Sequence, residues 1–228
     1  MKLHFGECVV ERPGQFINIA LDGFYLRRPF SASDWDDETL TIIYKVAGKG
    51  TRKMAELREG ERLDTLAGLG NGYDLTPARG RRILLVGGGA GVPPLIGLAK
   101  CLRALKESVE VVLGFNDSHT VICEDAFRSL GLKTRTATLD GSCGVMGTAV
   151  DLMQDTDYDY YFACGAMQML EAVHAYGKEG QLSFEARMAC GFGACMGCSC
   201  RTLSGYKRIC ADGPVFLSSE VSFSDQQA

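Results

Sequence analysis

Five of the ten cysteines in this 228-residue chain crowd between Cys190 and Cys210. Cys190, Cys195, Cys198 and Cys210 reproduce the C-x4-C-x2-C…C spacing of plant-type [2Fe-2S] sites. Thiolates suit iron and inorganic sulfide, and Gly191 and Gly193 let the backbone wrap closely round a cluster with its amides turned to the sulfurs. A four-cysteine zinc site is the competing reading, but zinc ribbons bring two separated cysteine pairs, whereas three of these ligands share one tight loop. Cys200 is a fifth candidate that sequence alone does not exclude as a ligand; choosing the other four rests on the spacing, with Cys200 as a neighbour packed beside the cluster. Cys8, Cys101, Cys123, Cys143 and Cys164 are scattered and read as ordinary buried thiols.

A second group is Val86-Gly87-Gly88-Gly89-Ala90-Gly91-Val92-Pro93-Pro94, which follows an apolar run and precedes a helical one. Backbone N–H groups and a helix dipole at such a turn can hold a pyrophosphate. The loop is a poor G-x-G-x-x-G fingerprint, and a tight strand-to-helix turn with no ligand is the plainer reading. A neighbouring cluster favours the nucleotide, because a one-electron centre needs an electron source. A third group, Arg27-Arg28-Pro29-Phe30-Ser31 with Tyr44-Lys45-Val46-Ala47-Gly48-Lys49-Gly50-Thr51, is uninformative alone. Arginine beside a fixed proline turn can clamp a phosphate, and a serine hydroxyl can reach a flavin ring nitrogen.

Three regions must position these groups. Residues 1-78 carry short β-rich runs, Gln15 to Ala20 and Leu40 to Val46, between Pro-Gly, Asp-Gly and Gly-Lys-Gly turns, which predicts a small antiparallel β barrel without a long helix. Residues 79-180 alternate strand and helix, which predicts an α/β domain on a parallel sheet. Its strands are expected at Ile83 to Val86, Val109 to Leu113 and Tyr160 to Ala163, and its helices at Pro93 to Leu105 and Met167 to Val173. Residues 181-228 form a cysteine-rich loop with short strands around it.

Composition narrows the function classes. With 46% hydrophobic residues the chain can bury a sizeable core, and a formal net charge of -4 with no basic, aromatic-interleaved run argues against nucleic acid. No stretch supplies the roughly 20 apolar residues of a membrane span, and Met1 to Phe5 does not open a signal peptide, so a cytoplasmic protein is expected. Clustered cysteines in a reducing compartment favour metal ligation over disulfides. His4, His119 and His174 match no catalytic motif and read as surface or satisfied structural histidines.

Taken in order, these motifs resemble the ferredoxin reductase superfamily, most closely the electron-transfer subunits of class 1B dihydroorotate dehydrogenases. The resemblance covers nearly the whole chain. It includes Leu26 to Ser31, Gly48 to Thr51, Leu69-Gly70-Asn71-Gly72, Val86 to Leu95, Ala163-Cys164-Gly165, Glu185 to Cys195 and Cys210 to Phe216. It implies FAD held by Arg28, Pro29, Phe30 and Ser31, by Ile43, Tyr44 and Lys45, and by Gly50 and Thr51. It places the nicotinamide cofactor near Gly87, Gly88, Gly89, Ala90 and Gly91. Electrons would pass between NAD(H), FAD and a [2Fe-2S] cluster, with orotate chemistry on a separate FMN-containing subunit in a heterotetramer serving pyrimidine synthesis.

Two features depart from the family pattern. Cys164-Gly165-Ala166 stands where the family carries Cys-Gly-Pro. The sequence also begins one strand late, so that either the start lies upstream of Met1 or the barrel keeps an open edge. The small subunit of a ferredoxin:NAD(P) oxidoreductase, or of a hydrogenase-linked diaphorase, follows the same three-part plan. A structural zinc module is the non-enzymatic alternative. The loop Gly114 to Ser118 has no arginine for a 2'-phosphate, which leans towards NAD.

Overall fold

The computed structural model describes residues 1–223. Its first six strands are β1 (Lys2–His4), β2 (Phe16–Ile19), β3 (Arg28–Ser31), β4 (Asp34–Trp35), β5 (Thr39–Thr41) and β6 (Thr65–Leu69). They form two three-stranded sheets, ordered β1-β5-β4 and β3-β2-β6, in which every pairing is antiparallel. Between them lie Ile17, Ile19, Leu40, Ile42 and Met54, nearly inaccessible to water. This is the small barrel expected, and its helix α1 (Lys49–Ala55) is short. β2 is buried on both faces: Ile17 and Ile19 enter the barrel core, while Phe16 packs into the neighbouring domain.

One expectation needs correcting. The run Leu40 to Val46 is paired only through Thr41. Ile42 still donates to the Met1 carbonyl, 2.9 Å. Beyond it, Ile43, Tyr44 and Lys45 leave the sheet and line two cavities instead of meeting a further strand.

The second domain is a seven-stranded sheet built from β7 (Arg82–Gly88), β8 (Ser108–Phe115), β9 (Lys133–Thr138), β10 (Val145–Met146), β11 (Tyr160–Cys164), β12 (Gly180–Ser183) and, after the β13 (Ser199–Thr202) and β14 (Gly205–Arg208) hairpin, β15 (Val215–Leu217). The order is β10-β9-β8-β7-β11-β12-β15, parallel except for β15. Strands covered on both faces read as continuous apolar runs, and β7 shows why. Leu84 and Val86 enter one core with α4 (Ala149–Gln154) and α5 (Met167–His174), while Ile83 and Leu85 enter the other with α2 (Pro94–Ala104) and α3 (Glu124–Ser129). Among the described residues no helix is long and apolar enough to cross a membrane.

A dense seam locks barrel to sheet. Gly97 N–H of α2 donates to the Ser33 carbonyl (2.8 Å), Lys100 pairs with Asp34 (2.6 Å), and Tyr73 donates to the Ala163 carbonyl (3.1 Å). The Trp35 indole lies against Gly97 so closely that a methyl group there would overlap the ring. Gly97→Ala should therefore lower stability by about 1–3 kcal/mol, the usual cost of forcing a methyl into a packed contact. Thermal unfolding monitored by Trp35 fluorescence reads this directly, since the chain has one tryptophan.

Candidate functional site

The carboxyl ends of β7 and β11 open, together with the barrel edge, onto two adjoining cavities of about 620 and 300 Å3. The larger lies over Gly88, Gly89, Ala90 and Gly91, with Phe115, Asn116, Thr148 and Met169 around it. The smaller lies over Pro29, Phe30, Ser31 and Thr51, with Phe16, Cys164 and Ser183 behind. Ile43, Tyr44, Lys45, Ala90, Gly91 and Glu185 line both, so the two spaces meet at one wall. A crevice at strand carboxyl ends is where open α/β sheets bind nucleotides.

Three of the residues singled out in the sequence lie off the cavity walls. Gly87 is a core position of β7 beneath Val92, Leu95 and Leu113. Arg28 donates to the Leu26 carbonyl (2.6 Å), stacks over the Phe24 ring and passes across Gly50, where a side chain would meet its Nε at 2.7 Å. Arg28 and Gly50 thus form one contact beside Thr51, whose hydroxyl is fixed by the Gly48 amide, 3.1 Å.

Other lining residues were given no role from sequence. Glu185, two residues past the carboxyl end of β12, faces both cavities, and His119 lines the larger one. Position relative to a strand's carboxyl end was the available signal for Glu185. His174 packs its ring on Phe223 at 5.3 Å, and its Nδ1 is buried with no hydrogen-bond partner among the described residues. Cys8 is exposed, not a buried thiol.

Gly91 packs its backbone onto the Cys164–Gly165 peptide with no room for a side chain. Burial pushes the Cys164 thiol up to about 12, with Ser183 opposing and Glu185 assisting. A raised folded value means that its contribution to stability is complete below the ordinary thiol value of 9.0 and is lost as pH rises through about 12. Burial raises Tyr161 to about 12 as well, adding to the same alkaline limb. Cys164→Ala should make that limb shallower, as measured by thermal melts taken across the window.

The four cysteines of the predicted ligand set sit in a loop whose amides point at sulfur. Gly193 N–H donates to Cys210 Sγ (3.1 Å), Cys210 N–H to Cys198 Sγ (3.4 Å) and Gly197 N–H to Cys195 Sγ (3.5 Å). Burial works against ionisation of Cys190, yet the amides of Phe192, Cys195 and Ala194, with the Cys195 side chain, hold it down to about 6. Burial and then Cys198 push Cys210 up to about 12. Arg208, braced by Asp212 at 3.0 Å, donates to the Gly193 carbonyl at 2.8 Å and holds the loop against the hairpin.

Among the described residues no three such side chains already surround one metal position. Cys195 hydrogen-bonds to Cys190 and Cys198 to Cys210, and Cys190 also lies near enough to Cys210 to act on its charge. Two thiolates for each of two irons is what a [2Fe-2S] centre takes, and a sulfur-only donor set ringed by amides fits it. Cys200 packs in the sheet-domain core, and burial, then Cys198, push its thiol up to about 11.

Comparison with known proteins agrees with this geometry. Residues 185–222 match the family model described as the iron-sulfur cluster binding domain of dihydroorotate dehydrogenase B. The chain is 43% identical over 230 residues to the dihydroorotate dehydrogenase B (NAD(+)) electron transfer subunit of Fusobacterium nucleatum, covering 94% of this chain and 88% of that one. The protein of the same name from Lysinibacillus sphaericus is 39% identical, with 97% and 91% covered. Among solved structures, an NADH-dependent reduced ferredoxin-NADP oxidoreductase superposes with a TM-score of 0.81 at 28% identity, covering 94% of this chain and 81% of that one. A ferredoxin NADP+ reductase from Neisseria gonorrhoeae, with bound FAD and NADP, has a TM-score of 0.57 at 14% identity over 72% and 77%, a likeness of fold.

Proposed function

Because the chain belongs to the family of dihydroorotate dehydrogenase B electron transfer subunits, we propose that it passes electrons between a catalytic partner subunit and NAD+ in pyrimidine biosynthesis. The observation that carries this reading is the shared wall of the two cavities, with the cysteine loop attached to the barrel strand beside the smaller one. When bound, FAD exchanges hydride with the nicotinamide and a [2Fe-2S] cluster takes electrons singly, which reconciles a two-electron donor with a one-electron carrier.

The chain's own residues supply position and electrostatics. The barrel, residues 1-78, would hold FAD, with Pro29, Phe30, Ser31, Ile43, Tyr44, Lys45 and Thr51 on the cavity wall and the Arg28–Gly50 contact bracing Thr51 from behind. The α/β domain, residues 79-180, takes NAD(H) across Gly88 to Gly91. Among the described residues Lys45 is the one lysine or arginine on the larger cavity's wall, so a 2'-phosphate finds little compensation there, in keeping with NAD. Residues 181-228 carry the cluster on Cys190, Cys195, Cys198 and Cys210. Cys195 is exposed, flanked by Phe192 and Met196 at 57% and 52% exposure, an apolar rim suited to an FMN-containing dihydroorotate dehydrogenase subunit in a cytoplasmic heterotetramer.

The ferredoxin-linked reading shares this fold. The chain, purified anaerobically with its genomic neighbour, separates the two. Bleaching of flavin and cluster absorbance by NADH, with orotate-linked activity only when the FMN subunit is present, is the expected outcome. Bleaching without that activity favours a ferredoxin partner, and a colourless zinc protein overturns both.

A further inference from the structure

The central barrel strand contains a polar residue that the core does not need. Asn18 of β2 is 1% exposed. It shares a strand face with Phe16, which lines the smaller cavity, and it lies across from Pro29, as Phe16 does from Ser31. Its Nδ2 donates to the Cys190 carbonyl at 3.1 Å, a contact spanning 172 positions of sequence. Gly191, at φ +79°, crosses so near that a methyl there would overlap Nδ2. Asn18 Oδ1 is buried with no partner among the described residues. A leucine would fill this place without leaving an amide oxygen bare, so the carboxamide is explained by what it holds.

We propose that Asn18 is a positioning residue for electron transfer, fixing the first cysteine of the cluster loop against the strand pair that carries the flavin. This rests on the reading above of where FAD and cluster bind. No bond forms or breaks at Asn18; it acts through the Cys190 peptide. Electron transfer rates fall steeply with separation, and charges and hydrogen bonds near the cysteine sulfurs set a cluster's potential. One carboxamide therefore governs both the gap between the two centres and the field at one of them.

The test uses the full chain with its FAD and cluster, compared with N18L and N18D. NADH should reduce the flavin of N18L at the wild-type rate, while cluster reduction in stopped flow slows about tenfold, the kinetic equivalent of one lost buried hydrogen bond. N18D, nearly isosteric, keeps the test open where N18L does not fold. It sets a carboxylate against the Cys190 carbonyl and should lower the midpoint potential of the cluster in an EPR-monitored titration. Wild-type protein lacking FAD or cluster overturns the site reading and this proposal together. Loaded variants with wild-type cluster kinetics and potential overturn the proposal alone, even if their melting temperature falls.

Discussion

Serine in place of Cys190, Cys195, Cys198 or Cys210 should each leave a yellow flavoprotein without the cluster, whereas Cys200→Ser should stay brown. Losing a ligand outright should exceed the ~10–100-fold loss of metal affinity that removal of a supporting hydrogen bond causes. The contrast follows from the loop's construction. Loop amides reach all four ligand candidates, whereas Cys200 belongs to strand β13 and lies outside the C-x4-C-x2-C spacing; burial does not separate them, since it raises Cys210 as well as Cys200. Iron and sulfide content, measured against FAD content in the same sample, checks it. A cluster surviving in any of the four, or lost in Cys200→Ser, would reassign the ligands.

Gly91→Ala is the second large effect. The methyl would overlap the Cys164 carbonyl and the Gly165 nitrogen, which belong to the backbone leaving β11 and have nowhere to move. Overpacking costs about 1–3 kcal/mol, and with backbone as the obstacle the upper end applies. At ~2–4 °C per kcal/mol for a chain of this size, the melting temperature should fall by about 10 °C. Gly91 is also common to both cavities, so NADH should no longer reduce the flavin while dithionite still does. Gly88→Ala is the comparison, since its methyl would press only on the flexible Met169 side chain. It should cost about 1 kcal/mol and raise KM for NADH more than it lowers kcat.

What the sequence made legible was whatever a periodic apolar run or a fixed spacing could encode. Strands β7, β8 and β11 and helices α2 and α5 lie within a residue or two of the runs that announced them. The element at Lys133–Thr138 gave no such signal, because Thr136 and Thr138 are buried by neighbouring structure instead of by their own hydrophobicity. Gly180–Ser183 is similar: Gln181 is buried because it bonds the Asp74 backbone and the Tyr160 hydroxyl. Leu40 to Val46 misled in the other direction, since β-prone residues that line a cavity look like residues that pair. Asn18 is one polar letter within the run Gln15 to Ala20, and nothing local marks it, because its partner lies 172 positions away.

The last two strands of the large sheet give the cysteine loop an unusual topology. Ser183 and Val215 face each other across an antiparallel ladder, which Phe184 N–H extends to the Pro214 carbonyl at 2.8 Å. Asn71 of the barrel clamps the same place, accepting from Val215 N–H at 3.1 Å and donating to its carbonyl at 2.7 Å. Residues 185–213 are therefore an excursion from a hairpin whose ends the sheet already holds together, so the entropy of closing that loop is met by the scaffold and not by the metal. The excursion is thus fastened twice, at its neck by the sheet and at its far side by the core packing of Cys198, Ile209 and Cys210 and the tie from Asn18 to Cys190, so it is a built-in socket and not a free flap.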